Sequence, residues 1–213
     1  FVKYLRSIGV DVSWHLPTRE GEGYGLNVSA IEQIAKSGVD LLITVDCGIS
    51  GVAEVAKAKE LGMKVVVTDH HSPDSVLPDA DAIVNPKRID DTSGLSFLAG
   101  VGVAFLTLVA LNRELKNRNF FSESTPQINL LNYMDFVALG TICDTMPLIE
   151  LNRAFVSTGL KVLGLRQNLG LRTLMDLASI KQPSVYAVGF AIGPRLNAAG
   201  RLDSAAPALD LLL

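Results

Sequence analysis

Cysteine is scarce in this sequence. The 213 residues hold two, Cys47 and Cys143. That is too few for a disulfide framework, and it fits a reducing cytoplasm. A basic excess is also missing: 19 Lys and Arg stand against 22 Asp and Glu, for a net charge of −3. This excludes a broad electrostatic clamp on nucleic acid but permits a local one. Long apolar runs are absent too. The longest, Phe97 to Leu111, is broken by Gly100 and Gly102. It is shorter than the roughly 20 residues that span a bilayer, so a buried helix is expected and no membrane is implied. No basic segment with a cleavage signature opens the chain, so secretion is not expected; there is also no internal repeat and no low-complexity tract. At 48% hydrophobic residues, the chain can bury a full core, as one large domain or one domain with an appendage.

What is present is a set of apolar runs that end in polar groups. Val65-Val66-Val67-Thr68 runs straight into Asp69-His70-His71. Leu41-Leu42-Ile43-Thr44-Val45 runs into Asp46, and Phe136 to Cys143 ends at Asp144. Buried parallel strands end in this way when they deliver polar groups to the rim of a sheet. Each cysteine lies beside one of these acids. The expected role is a small buried side chain packed behind the site; ligation by a thiolate is the alternative.

In chain order, Phe1 to Ile8 reads as the tail of a helix stopped by Gly9. Asp11 to Leu16 alternates and reads as a strand. Pro17 to Gly25 is a glycine-rich loop carrying Arg19, Glu20 and Glu22. Asn27 caps a helix to Ser37. Strand 41–45, helix 51–61 and strand 64–68 follow, then a loop-rich stretch with a short strand at 82–84. The connections are short, so the fold class is α/β with a parallel sheet flanked by helices. Helices are expected at 101–116, 130–139, 153–163, 171–178 and 205–213. The stretch Gly193 to Asp203 is rich in small residues and carries Arg195, Asn197 and Arg201, an unusual mix for a core element.

Oxygen and nitrogen donors from Asp and His suit Mn²⁺ or Mg²⁺, with imidazole favouring Mn²⁺. Acids at three segment ends can hold two ions about 4 Å apart if one carboxylate bridges them, and such a pair suits phosphate-ester hydrolysis. Taken singly, Asp46 could cap a helix, His70-His71 could be a structural pair, and Asp144 could be a turn acid. Taken together, these plainer roles lose force.

Val67-Thr68-Asp69-His70-His71 resembles the signature of the DHH phosphoesterase superfamily. Thr44-Val45-Asp46-Cys47-Gly48 resembles the motif before it. Gly140 to Leu148, with Asp144, resembles the following motif in its RecJ form. Gly193-Pro194-Arg195-Leu196-Asn197-Ala198-Ala199-Gly200-Arg201 is similar to the motif of the RecJ single-strand exonuclease family, as is the stretch from Leu16 to Leu26. The resemblance spans nearly the whole chain. It implies a bacterial enzyme that hydrolyses single-stranded DNA from the 5′ end with Mn²⁺ or Mg²⁺ in repair and recombination, with a single-strand-binding protein and a helicase as candidate partners. By position, Asp46 would bridge the metals, and His70 and Asp144 would be ligands. Asp69 would support the site and His71 would face the scissile phosphate. Arg195 and Asn197, with Arg201, would contact the DNA, and Arg19 the 5′ phosphate. The resemblance further implies a catalytic domain over 1–165, lacking its first strand and first Asp-rich motif, and a helical segment over 166–213 leading to a second domain not included. The alternatives are a hydrolase of short oligonucleotides or cyclic dinucleotides, and a non-catalytic DNA-binding module of the same fold. A Rossmann-like nucleotide domain would need a Gly-rich loop after a first strand, and Gly100-Val101-Gly102 follows no clear strand.

Overall fold

A computed structural model describes residues 1–17, 25–201 and 204–213. The chain divides into two compact units, one of residues 17–104 and one of residues 1–16 with 105–213. The expected boundary near residue 165 lies inside the second of these.

Helix α1 (Val2–Ser7) ends at Gly9, whose φ of +83° is the left-handed stop that glycine adopts without strain. The expected strand at Asp11–Leu16 is not formed. The Val12 carbonyl accepts hydrogen bonds from the Arg6 guanidinium rather than from a neighbouring strand.

The first unit carries the sheet. Helix α2 (Val28–Lys36) begins where the Asn27 side chain accepts from the Ser29 and Ala30 amides. Strand β1 (Leu41–Val45), helix α3 (Val52–Glu60), strand β2 (Lys64–Thr68) and strand β3 (Ala82–Val84) follow. The strands form a parallel sheet in the order β1-β2-β3, with Thr44 opposite Val67 and Val67 opposite Ile83. This is the expected α/β class. Strand β2 is central, and Val65 and Val67 are wholly buried against Ile31, Val55, Ala58 and Met63. Strand β1 is an edge among the described residues, and its Leu41 and Val45 remain half exposed.

Helix α4 (Gly100–Asn117) straddles the division between the units. In the second unit, α5 (Met134–Cys143), which follows a short 3₁₀ turn at Leu130–Tyr133, is apolar on nearly every side and is the buried centre. It packs on α6 (Glu150–Gly164) at Gly159, where any Cβ would overlap the Met134 carbonyl and the Ala138 methyl. Helix α7 (Leu169–Leu177), a helical turn α8 (Val185–Ala187), a π turn (Val188–Ile192), α9 (Gly193–Ala199) and α10 (Ala206–Leu212) complete it. Leu139, Ile142, Val156, Leu163, Leu171, Met175, Val188 and Ile192 form its core. No described helix is long and apolar enough to cross a membrane.

Strand β2 should therefore dominate stability in its unit. Val67→Ala removes buried methyl groups from a packed site and should lower unfolding free energy by about 2 kcal/mol. Leu41→Ala on the half-exposed edge should cost less than half as much. Urea unfolding midpoints of the two variants check the order.

Candidate metal centre

Two neighbouring strands end side by side, and the backbone then turns sharply at each end. The Asp46 amide continues the ladder by donating to the Thr68 carbonyl, 3.0 Å away. Asp46 itself adopts φ +62°, a left-handed conformation that costs an aspartate about 1–3 kcal/mol. The turn behind it is held by the Thr44 hydroxyl, which donates to the Cys47 carbonyl at 2.7 Å. Gly48, at φ +102°, lies so close to Thr44 that a side chain there would clash. On the next strand, the Asp69 amide donates to the Val84 carbonyl at 3.0 Å.

The Asp69 carboxylate is 1% exposed and accepts four hydrogen bonds. The Ile49 amide donates to Oδ2 at 3.0 Å. The His70 and His71 amides donate to Oδ1 at 2.7 and 3.1 Å, and His71 Nδ1 does so at 2.7 Å. Burial pushes this carboxyl up; the bonds from Ile49, from the His71 ring and from the two histidine amides outweigh it, and the acid is held below the usual carboxylate range. With Nδ1 tied to Asp69, the His71 ring is oriented, yet it remains 59% exposed.

His70 is buried. Its Nδ1 lies 3.0 Å from the Leu98 carbonyl, which can only accept, so Nδ1 carries the proton. Nε2 then turns its lone pair toward Asp46 Oδ1, 3.1 Å away. A lone pair facing a carboxylate is repulsive unless a cation stands between them, and either a proton or a metal ion meets the need. Ligand atoms of Asp46, His70 and His71 all lie within 4.8 Å of one another. The donor set of one carboxylate and imidazole nitrogens fits Mn²⁺ or Mg²⁺, and Asp46, 58% exposed, leaves room for water and substrate oxygens.

The segment 98–100 presses on both sides of this pair. The Leu98 carbonyl fixes the His70 ring, and Gly100, the first residue of α4, lies against the Asp46 side chain so closely that a Cβ would overlap Oδ1. The sequence reading missed both groups, and it missed the Ile49 amide. The signal for Gly100 was available: a glycine opening a long apolar helix, where helix propensity argues against it.

The other expected residues lie in the second unit. Asp144 caps the end of helix α5, at the close of the expected apolar segment. Arg195 is exposed on α9, where its guanidinium donates to the Ala191 carbonyl at 2.8 Å. Asn197, two residues on, projects from a different side of that helix, and Arg201 follows the helix end, also exposed. Arg19 lies outside the described residues. Neither cysteine is the buried packing residue expected: Cys47 is half-buried and Cys143 is exposed at the end of α5. Both stay protonated at neutral pH. Burial, with Asp69 and Asp46, pushes Cys47 up to about 11; the Cys143 thiol, packed against Gly193 though the residue is exposed, is raised by that partial desolvation and then by Asp144.

A parallel sheet that presents carboxylates and imidazoles at the carboxyl ends of adjacent strands is a ligand-binding α/β domain. The chain belongs to the DHH family: the model of the DHH family N-terminal domain matches residues 1–141. It is 42% identical over 214 residues to the single-stranded-DNA-specific exonuclease RecJ of Salmonella typhimurium, covering 98% of this chain and 37% of that protein. It is 39% identical to RecJ of Thermus thermophilus, covering all of this chain and 30% of that protein. The chain thus spans roughly a third of the relatives' length. Among solved structures, exonuclease RecJ bound to manganese superposes with a TM-score of 0.86 at 38% identity, over 100% of this chain and 51% of that one. RecJ of Thermus thermophilus in complex with Mn²⁺ gives a TM-score of 0.80 at 36% identity, over 100% and 29%.

Two outcomes follow from this geometry. Gly100→Ala should weaken Mn²⁺ binding by about tenfold or more, as disturbed supports of metal ligands do. Calorimetric titration reads this, and an unchanged circular dichroism spectrum separates it from misfolding. Asp69 should also carry part of the acid sensitivity. Its folded-state pKa is depressed, so its contribution is complete above the unfolded value near about 3.9 and is lost as pH falls through the lower folded value. Asp69→Asn should be less stable near neutrality and should lose less further stability on acidification than the parent, as urea midpoints across pH would show.

Proposed function

We propose that the protein containing this chain hydrolyses phosphodiester bonds of single-stranded DNA from the 5′ end, as a RecJ-type exonuclease. The observation that carries this reading is the Asp46–His70 pair, fixed at 3.1 Å with lone pair toward carboxylate, in a chain 42% identical to a single-stranded-DNA-specific exonuclease over nearly all its length. Asp46, His70 and Asp144 would hold Mn²⁺ or Mg²⁺. Such ions, when bound, activate water and neutralise charge on a phosphoryl oxygen. The protein's own groups do the rest. Asp69 keeps His71 in the tautomer with Nδ1 protonated, so that Nε2 addresses the substrate and can hold or deliver a proton at the oxygen that gains charge. Arg195, Asn197 and Arg201 bind the strand, and Arg19 binds a terminal phosphate, for which a guanidinium fork is well matched. The setting is DNA repair and recombination in the cytoplasm, with a single-strand-binding protein and a helicase as partners.

Asp46→Ala in the whole protein should abolish hydrolysis while single-strand binding largely survives, because strand contacts come from other residues. Cleavage of a long 5′-phosphorylated strand in Mn²⁺, beside a filter-binding measurement, tests this. Comparing kcat/KM for the long strand and for a dinucleotide separates the exonuclease from a hydrolase of short oligonucleotides, which would favour the dinucleotide.

A further inference from the structure

The helical stretch leading into Arg195 has an unusual surface. Tyr186 and Phe190 are stacked, with ring centroids 4.9 Å apart and planes 29° apart. Yet they are 73% and 72% exposed. Packing against each other is thus nearly all the cover these rings have, and their outer faces remain open. Large aromatic rings are seldom left so bare without a function. Below them, Val188 and Ile192 are wholly buried in the core, so the segment bearing the rings is anchored.

Charge identifies what the rings receive. The chain is acidic overall, but from Leu177 to Leu202 it contains Lys181, Arg195 and Arg201 and no Asp or Glu. The Arg195 guanidinium bonds to the carbonyl of Ala191, the residue after Phe190, and Arg195 is itself exposed. Open aromatic faces beside arginine, on a segment free of carboxylates, are the combination that binds single-stranded nucleic acid: bases stack on the rings and cations meet the backbone. A protein partner would not require the absence of acids.

We propose that Tyr186 and Phe190 form a stacking platform for the bases of a single strand, with Arg195 meeting its phosphates. This rests on the reading of the protein as a single-strand exonuclease and adds to it a base-binding subsite that tolerates any sequence.

The test uses the whole protein in an Asp46→Ala background, so that the strand survives. Fluorescence anisotropy gives the affinity for a labelled oligothymidylate and for an abasic strand of equal length. The double variant Tyr186→Ala/Phe190→Ala should bind oligothymidylate about tenfold more weakly or worse, given what a stacked base contributes. It should bind the abasic strand like the parent, with an unchanged salt dependence. Arg195→Ala should instead weaken both strands and make the salt slope shallower by about one. Leu177→Ala, equally exposed on another helix, is the control and should change nothing. Phe190→Trp should retain binding, and its added tryptophan emission should be quenched by oligothymidylate. Equal losses on both strands, or no loss on either, would overturn the platform. Failure of the parent to bind any single strand would overturn the underlying functional reading instead.

Discussion

A single buried carboxylate holds the centre together. Asp69 sits at the end of the central strand with both oxygens occupied by amides and an imidazole. It thereby fixes three things at once: the turn after β1, through Ile49; the backbone of the two histidines; and the ring of His71. Burying a charge is costly unless every lone pair is answered, and here both oxygens are. The acid least open to solvent thus sets the geometry of the groups around it.

Asp46 and His70 show the complementary arrangement. Each is held from outside its own strand, His70 by the Leu98 carbonyl and Asp46 by the close approach of Gly100. The left-handed backbone of Asp46 raises the energy of the site, and the approach of His70 Nε2 to a carboxylate calls for a proton or a metal ion between them. The chain therefore gives up some folding stability to hold these side chains in place.

How much could be read beforehand depended on where the physics was local. Strands β1, β2 and β3 stood out because an apolar run that stops at an acid or a turn is a signal within a few residues. The same runs placed Asp46, Asp69, His70 and His71 at strand ends. Asp11–Leu16 failed because alternation describes a strand's faces and says nothing about its partner; Arg6 took the carbonyl a neighbour would have needed. The stretch 185–199 was not assigned as helix: Gly189, Gly193 and Pro194 are weak helix formers, and it is the burial of Val188 and Ile192 in the core that holds it. The cysteines were misjudged because adjacency to an acid in sequence does not fix burial. Gly100 and the Leu98 carbonyl were invisible for a further reason: their roles are contacts with residues far away in the chain.

The π turn at Val188–Ile192 lies between the two helical pieces of that stretch. A turn closed over five residues holds one more than an α turn, so it amounts to a single residue inserted into a regular helix. Val188 and Ile192 both face the core across it. Rewinding this turn as regular α-helix while keeping all its residues would rotate everything downstream by about 100°. The arginine and asparagine of α9 would then point elsewhere while the fold remained intact. The winding of this one turn therefore sets the direction in which α9 presents its polar side chains.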